Sequence, residues 1–91
     1  MIKMLHLHLK REWFEKIASG KKVKEYREMK PYWNVRFQYP KNHEFKYVTI
    51  QLGYSGPKMV FRVVSIEEEH GLPNDLGVEN VWAIYLGERV Q

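Results

Sequence analysis

Short runs of alternating side chains, separated by glycine, proline and polar residues, constrain this sequence more than any other feature. Leu5, Leu7 and Leu9 alternate with polar residues and predict a first strand with one buried face. Four further strands are predicted over residues 21–29, 45–52, 58–66 and 81–86. In the last of these strands, both alternating sets of side chains are apolar enough to face inward. A chain of 91 residues has room for one such unit, so we expect a single domain over residues 1–91.

Two short helices are predicted between these strands. Trp13, Phe14 and Ile17 fall on one apolar stripe of a helix over residues 10–19. Gly20 stands at the position where a left-handed cap would end this helix. The first helix therefore stops where a strongly basic segment begins.

The second helix should begin at Pro31, because proline suits the first turn of a helix, and should end at Pro40. Residues 53–57 predict a turn that joins the third and fourth strands into a hairpin. The acidic segment 67–78, rich in glycine and proline, predicts a loop with at most one helical turn. Together these elements predict an α+β fold, a small mixed β-barrel of about five strands with two short helices. Closure of such a barrel would remove its exposed edges.

Composition excludes several classes of function. The chain has no cysteine, which rules out disulfides, thiolate metal sites and cysteine nucleophiles and fits a reducing cytoplasm. The N-terminal residues lack the pattern of a signal peptide, and no stretch approaches the roughly 20 apolar residues of a membrane span. We therefore expect a soluble cytoplasmic protein that does not enter a membrane.

Charge is distributed unevenly along the chain. Residues 1–63 carry fourteen lysines and arginines against five acids, giving +9, whereas residues 64–91 carry one arginine against six acids, giving −5. A basic face that binds phosphates would produce this asymmetry, and so would an ordinary soluble surface.

Neither a metal site nor a conventional nucleophile is predicted. His6 and His8 share one face of the first strand, but His43 and His70 lie in predicted loops and no metal-binding spacing is present. We therefore expect no metal and no cofactor. No local pattern pairs a hydroxyl with a base. The hydroxyl candidates are Ser19, Thr49, Ser55 and Ser65.

The most informative segment is Gly20-Lys21-Lys22-Val23-Lys24-Glu25-Tyr26-Arg27. Taken by itself, a charged strand after a helix cap is typical of a solvated face. Its pattern G-x-K-x-x-E-x-R resembles the motif of the ASCH family at every fixed position. The order of a leucine-alternating strand, a helix with two aromatic residues and this motif also resembles that family over the first 37 residues.

The resemblance implies a PUA-like barrel with a basic cleft, lined by the motif and suited to RNA or to a nucleoside or nucleotide. Gly20 would supply the turn, Lys22 and Arg27 the cations, and Glu25 an acceptor for a base amino or imino group. In a regular strand, Lys22 would lie on the face opposite Glu25 and Arg27. A turn after Gly20 or a bulge must therefore bring Lys22 round to join them.

Aromatic residues lie close in sequence to these cations, and alternating cations with aromatic planes suits single-stranded nucleic acid. We expect Trp33 or Tyr32 to be available for stacking, because most aromatic residues of so small a barrel must fill its core. Lys21, Lys24 and Lys30 are expected to contact phosphates. The predicted ligand-binding residues are Lys22, Lys24, Glu25, Arg27, Tyr32 and Trp33.

Three interpretations of the motif remain open at this stage. The first is a monomeric RNA-binding module. The second is a small enzyme, either amidohydrolase-like or a ribonuclease, with Lys22 and Glu25 as its catalytic residues. The resemblance to ASCH amidohydrolases is incomplete, because their pattern has a threonine where this chain has Glu25. The third is a purely structural ion-pair network.

Overall fold

Five strands and two short helices form the computed structural model, which describes residues 3–38, 45–71 and 73–91. Predictions that fall on Pro40 and His43 lie outside the described residues. In chain order the elements are β1 (Lys3–Leu9), α1 (Arg11–Ala18), β2 (Lys24–Glu28), α2 (Pro31–Phe37), β3 (Phe45–Leu52), β4 (Lys58–His70) and β5 (Asn80–Arg89).

All five strands belong to one mixed sheet with the order β1-β3-β4-β5-β2. β1 pairs with β3 in parallel, and the other three pairings are antiparallel. The predicted α+β fold with a barrel-like sheet and two helices agrees with this architecture. In the described residues, however, β1 and β2 are the two edges and do not pair, so the sheet is a half-barrel and not the closed barrel that the sequence predicted. No helix in the described ranges is long and apolar enough to span a bilayer.

The core fills the concave side of this half-barrel. Leu5, Leu7 and Leu9 are buried in it, as their alternation predicted. Phe14 and Ile17 bury the apolar stripe of α1 against the same core, and Trp13 is partly buried beside them. From α2, Phe37 is completely buried. Each helix therefore covers the sheet through residues that helical spacing brings to one side.

The two faces of β5 contact different clusters. Trp82 and Ile84 join the main core, whereas Val81 and Ala83 pack with Tyr26 in a smaller cluster. Both alternating sets of β5 are thus buried, because each face of the strand is covered. The indole Nε1 of Trp82 donates a hydrogen bond of 2.8 Å to Oδ1 of Asn34, which anchors α2 to this strand.

The prediction of a loop over residues 67–78 is wrong for its first four residues. Glu67–His70 continue β4 and pair with Asn80–Ala83 of β5. Acidic residues disfavour strands locally, but here the backbone groups are satisfied by the neighbouring strand while the side chains remain at the surface. Two register shifts near Val63 let the long strand curve. The predicted hairpin between β3 and β4 is confirmed.

Candidate functional site

The end of α1 determines where Lys22 lies. Gly20 has a φ of +81°, the left-handed conformation that the sequence predicted for a helix cap. Beyond this turn, the backbone N–H of Lys22 donates to the carbonyl oxygen of Lys16 at 3.1 Å. β2 begins only at Lys24 and is shorter than predicted. Lys22 is therefore free of strand alternation, and the turn brings it round to the face of Glu25.

Glu25 and Arg27 face the concave side of the sheet. Their partners across the antiparallel pairing are Ile84 and Trp82, which belong to the main core, and residues directly opposite share a face. The Glu25 side chain is buried at the edge of this core, with 5% of the residue exposed. A buried carboxylate requires charged or hydrogen-bonding partners, because desolvation disfavours an isolated ion.

Two cations supply those partners. Lys22 Nζ lies 2.7 Å from Glu25 Oε1, and Arg27 Nη1 lies 3.0 Å from Glu25 Oε2. Each cation also lies over an indole ring. Lys22 Nζ is 4.6 Å from the centroid of Trp13, and Arg27 Cζ is 5.6 Å from that of Trp33. Carboxylate and ring together hold both cations in place. We call Lys22, Glu25 and Arg27 the triad.

Arg27 also links the two edges of the half-barrel. Its Nη1 donates to the carbonyl oxygen of Tyr26 at 2.7 Å, and its Nη2 donates to that of His8 at 3.2 Å. His8 lies on β1 and Arg27 on β2, so a side chain connects strands that share no backbone ladder in the described residues. The five donors of a guanidinium allow this branched bonding, which a lysine could not reproduce.

A cleft of about 790 Å³ opens between these two edges and contains the triad. Its walls carry aromatic rings from both helices and from the turn after β3. In the described part of the chain, four lysines and arginines and three acids line it, so it is less basic than the sequence suggested. These charged residues are Lys10, Lys22, Arg27, Lys30, Glu25, Glu28 and Asp75.

Asp75 is a cleft residue that sequence reasoning missed. Its carboxylate forms an ion pair with Lys22 Nζ, on a cation that also binds Glu25. Asn74 holds the surrounding loop in shape, because its Oδ1 accepts from the N–H groups of Leu76 and Gly77. The Asn-Asp pair signals a turn, but only the tertiary structure shows that this turn reaches the cleft.

Lys24, which the sequence grouped with the ligand-binding residues, does not line the cleft. It lies directly opposite Tyr85 in the β2–β5 pairing, on the other face of the sheet, and contacts Glu69 at 3.3 Å. The pKa of Lys24 is raised, most strongly by hydrogen bonding with the Tyr26 hydroxyl. Hydrogen bonds with Tyr85 and Glu69 raise it further. Lys24 is thus a cation in an outer network, placed there by the strand alternation that sends neighbours to opposite faces.

The same outer network shifts the pKa values of two more groups. The Tyr85 hydroxyl donates to Glu69, which raises the pKa of Tyr85 and lowers that of Glu69. Lys24 lowers the pKa of Glu69 further. The charges of Lys24 and Glu69 thus compensate each other on the outer face of the sheet.

The predicted stacking residues both line the cleft, with different exposure. Trp33 packs on Phe37 with ring centroids 5.5 Å apart and also lies beneath Arg27. These two contacts cover much of its ring. Tyr32 is 57% exposed and has the guanidinium of Arg36 3.6 Å from its ring centroid. Tyr54, at the rim, is the most exposed of the cleft aromatics at 86%.

The two histidines of β1 are both hydrogen-bonded. His6 Nε2 lies 3.0 Å from Gln51 Oε1, and His8 Nδ1 lies 2.8 Å from the carbonyl oxygen of Gly53. Among residues 3–38, 45–71 and 73–91, no three histidines or acids are arranged to hold a metal ion.

Comparison of the chain with protein-family models, with curated proteins and with solved structures found no match.

Proposed function

We propose that this chain is a PUA-like, ASCH-type module that binds RNA as a monomer in the cytoplasm, and that its cleft receives an unpaired nucleotide. The observation that carries the proposal is the position of the triad at the base of an aromatic-walled cleft. Single-stranded RNA is recognised where cations meet the backbone, rings stack on bases and a polar group reads a base edge. All three kinds of group line this cleft.

The division of roles follows from exposure. Glu25 is the most buried of the charged residues that line the described cleft and has acceptor lone pairs beyond those used by Lys22 and Arg27, so it is the group suited to a base amino or imino hydrogen. Lys10 and Lys30 are exposed at the rim, where phosphates would pass. Tyr32 and Tyr54 offer exposed rings. A buried acceptor with exposed cations around it is an arrangement for binding a nucleotide by its base.

Catalysis is the less supported alternative. Lys22 Nζ donates to two carboxylates, Glu25 and Asp75, and therefore acts as a paired cation. Each oxygen of Glu25 accepts a hydrogen bond from a cation, and this fixed carboxylate is better suited to accept a hydrogen bond from a ligand than to take a proton from water. This geometry supports recognition over proton transfer.

Neutralising a rim lysine provides the first test. Lys30→Gln is expected to weaken binding to all RNA sequences alike, because Lys30 is exposed beside the cleft and would contact phosphate. The slope of log affinity against log salt should fall by about 0.7 for a single strand. Fluorescence anisotropy with short single-stranded RNAs over a series of salt concentrations measures both effects.

Lys24→Gln is the matched control. It removes the same charge from the outer face of the sheet, beside Glu69. We expect its affinity and salt slope to stay near those of the unmodified protein. Equal losses of affinity in both variants would mean that RNA binding depends on general surface charge and that the cleft is not the binding site.

A second test concerns Asp75. Asp75→Asn is expected to increase affinity for phosphate-bearing ligands by about threefold to tenfold, because it removes a negative charge from the cleft and releases Lys22 from one of its two carboxylates. Titration of 5′-mononucleotides, followed by tryptophan fluorescence, measures the change. Glu67→Gln removes an equal charge from an exposed position outside the cleft and should have little effect. Equal gains in the two variants would contradict a local role for Asp75.

A further inference from the structure

Three aromatic rings form a continuous stack at the rim of the cleft. His6 and His8 stack with centroids 4.7 Å apart, and His8 and Tyr54 stack with centroids 4.3 Å apart. The interplanar angles are 26° and 27°, close to parallel. Tyr54 ends the stack. Because it is 86% exposed while one face rests on His8, its other face is open to solvent.

Hydrogen bonds orient the two histidines of this stack and the turn that carries Tyr54. His8 donates through Nδ1 to the carbonyl oxygen of Gly53, and the N–H of Gly53 donates to the carbonyl oxygen of Leu9 at 2.9 Å. The turn that carries Tyr54 is therefore fastened to the end of β1 by two bonds. Gln51 orients His6, because its Nε2 donates to the Gly56 carbonyl oxygen and so leaves Oε1 for His6. A ring held in this way loses little conformational entropy when a base stacks on it.

A second concavity adjoins the main cleft at the stack. It measures about 490 Å³ and shares His8 and Tyr54 with the main cleft. Lys10 and Arg11 are exposed on its wall and can contact a phosphate. Both concavities are within the range of about 300–1,000 Å³ that is usual for small-ligand sites.

We infer that His6, His8 and Tyr54 form a stacking platform for a second base, next to the nucleotide held over Glu25. The inference rests on the proposed function and specifies its ligand as a single-stranded oligonucleotide with at least two adjacent bases, in place of a free nucleoside. The first base enters the main cleft. The strand then passes Tyr54, where the next base stacks, and its phosphate lies near Lys10 and Arg11.

Removing the Tyr54 ring tests this platform. The experiment measures the affinity of fluorescein-labelled homopolymeric RNAs of roughly six nucleotides, a length within the site sizes of single-strand binders. The corresponding 5′-mononucleotides serve as competitors. The ratio of oligonucleotide to mononucleotide affinity should fall roughly tenfold in Tyr54→Ala and in Tyr54→Leu, because one base loses its stacking partner. Tyr54→Phe keeps the ring and should retain the ratio of the unmodified protein.

Tyr47→Ala is the matched control, since this tyrosine lies on β3, pairs with Arg62 and lines neither concavity. Its affinity ratio should equal that of the unmodified protein. Melting temperatures identify any variant that has lost its fold, and the leucine substitution retains an apolar side chain at the turn. A ratio that is unchanged in Tyr54→Ala and Tyr54→Leu, or lowered equally in Tyr47→Ala, would overturn the platform and leave the cleft proposal standing. If the unmodified protein binds neither oligonucleotides nor mononucleotides, the proposed function itself fails and the platform with it.

Discussion

Glu25→Gln is expected to lower the melting temperature by roughly 10 °C while affinity for generic RNA stays the same or rises. The substitution removes the charge that compensates Lys22 and Arg27 in a largely buried site. We expect the free energy of unfolding to fall by about 2 kcal/mol. This is less than the loss for a fully enclosed ion pair, because Asp75 still neutralises Lys22. For a domain of this size, that loss corresponds to the stated change in melting temperature.

Binding should respond in the opposite direction from stability. The amide no longer repels phosphate, but it replaces one acceptor with a donor, so discrimination between bases should decrease by about 1–3 kcal/mol for each lost contact. Affinities for homopolymeric RNAs of different base, measured well below the melting temperature, report this loss. An enzyme would instead lose turnover with little change in binding.

The exposed ion pair of Arg62 and Glu88 supplies the control for Glu25→Gln. Arg62 Nε lies 2.6 Å from Glu88 Oε1, but both side chains are more than half exposed. Glu88→Gln should therefore change stability by no more than about 0.5 kcal/mol. If Glu25→Gln lowers the melting temperature but alters neither affinity nor base discrimination, the triad is structural and the proposed function is wrong.

Phe37→Ala is expected to produce the largest loss of stability, about 3–5 kcal/mol, with a fall in melting temperature of roughly 20 °C. Phe37 is completely buried, and its ring contacts those of Trp33, Phe45 and Trp82 at centroid distances of 5.5–5.9 Å. Truncation leaves a cavity between α2 and the sheet. Thermal denaturation followed by circular dichroism measures the effect.

Phe37→Leu keeps much of the buried volume and should cost only about 1–1.5 kcal/mol, so it remains measurable if the alanine variant does not fold. Val35→Ala, on the exposed side of α2, should change stability by no more than about 0.5 kcal/mol. Similar losses in Phe37→Ala and Val35→Ala would show that α2 does not pack on the core through Phe37. Because Phe37 supports Trp33, the same variants also test how far the cleft depends on this helix.

Local patterns in the sequence were sufficient to predict the elements that place the triad. The alternation of Leu5, Leu7 and Leu9 predicted β1, and Gly20 predicted the left-handed end of α1. Pro31 predicted the first turn of α2. Each of these signals depends on neighbouring residues alone, because backbone conformation and amphipathic spacing are local properties. The need for a turn to bring Lys22 beside Glu25 was also visible from the spacing.

The sequence by itself therefore determined the order of the strands and helices, the glycine cap of α1 and the composition of the motif. Only the tertiary structure decided that β4 continues through Glu69 and pairs there with β5, that Lys24 faces away from the cleft, and that Asp75 reaches Lys22. It also decided that β1 and β2 form the two edges of the sheet in the described residues and that Tyr54 stacks on His8. The physical reason is that strand register, sheet curvature and the return of a loop depend on backbone pairing between residues far apart in the chain, and no local periodicity records those partners.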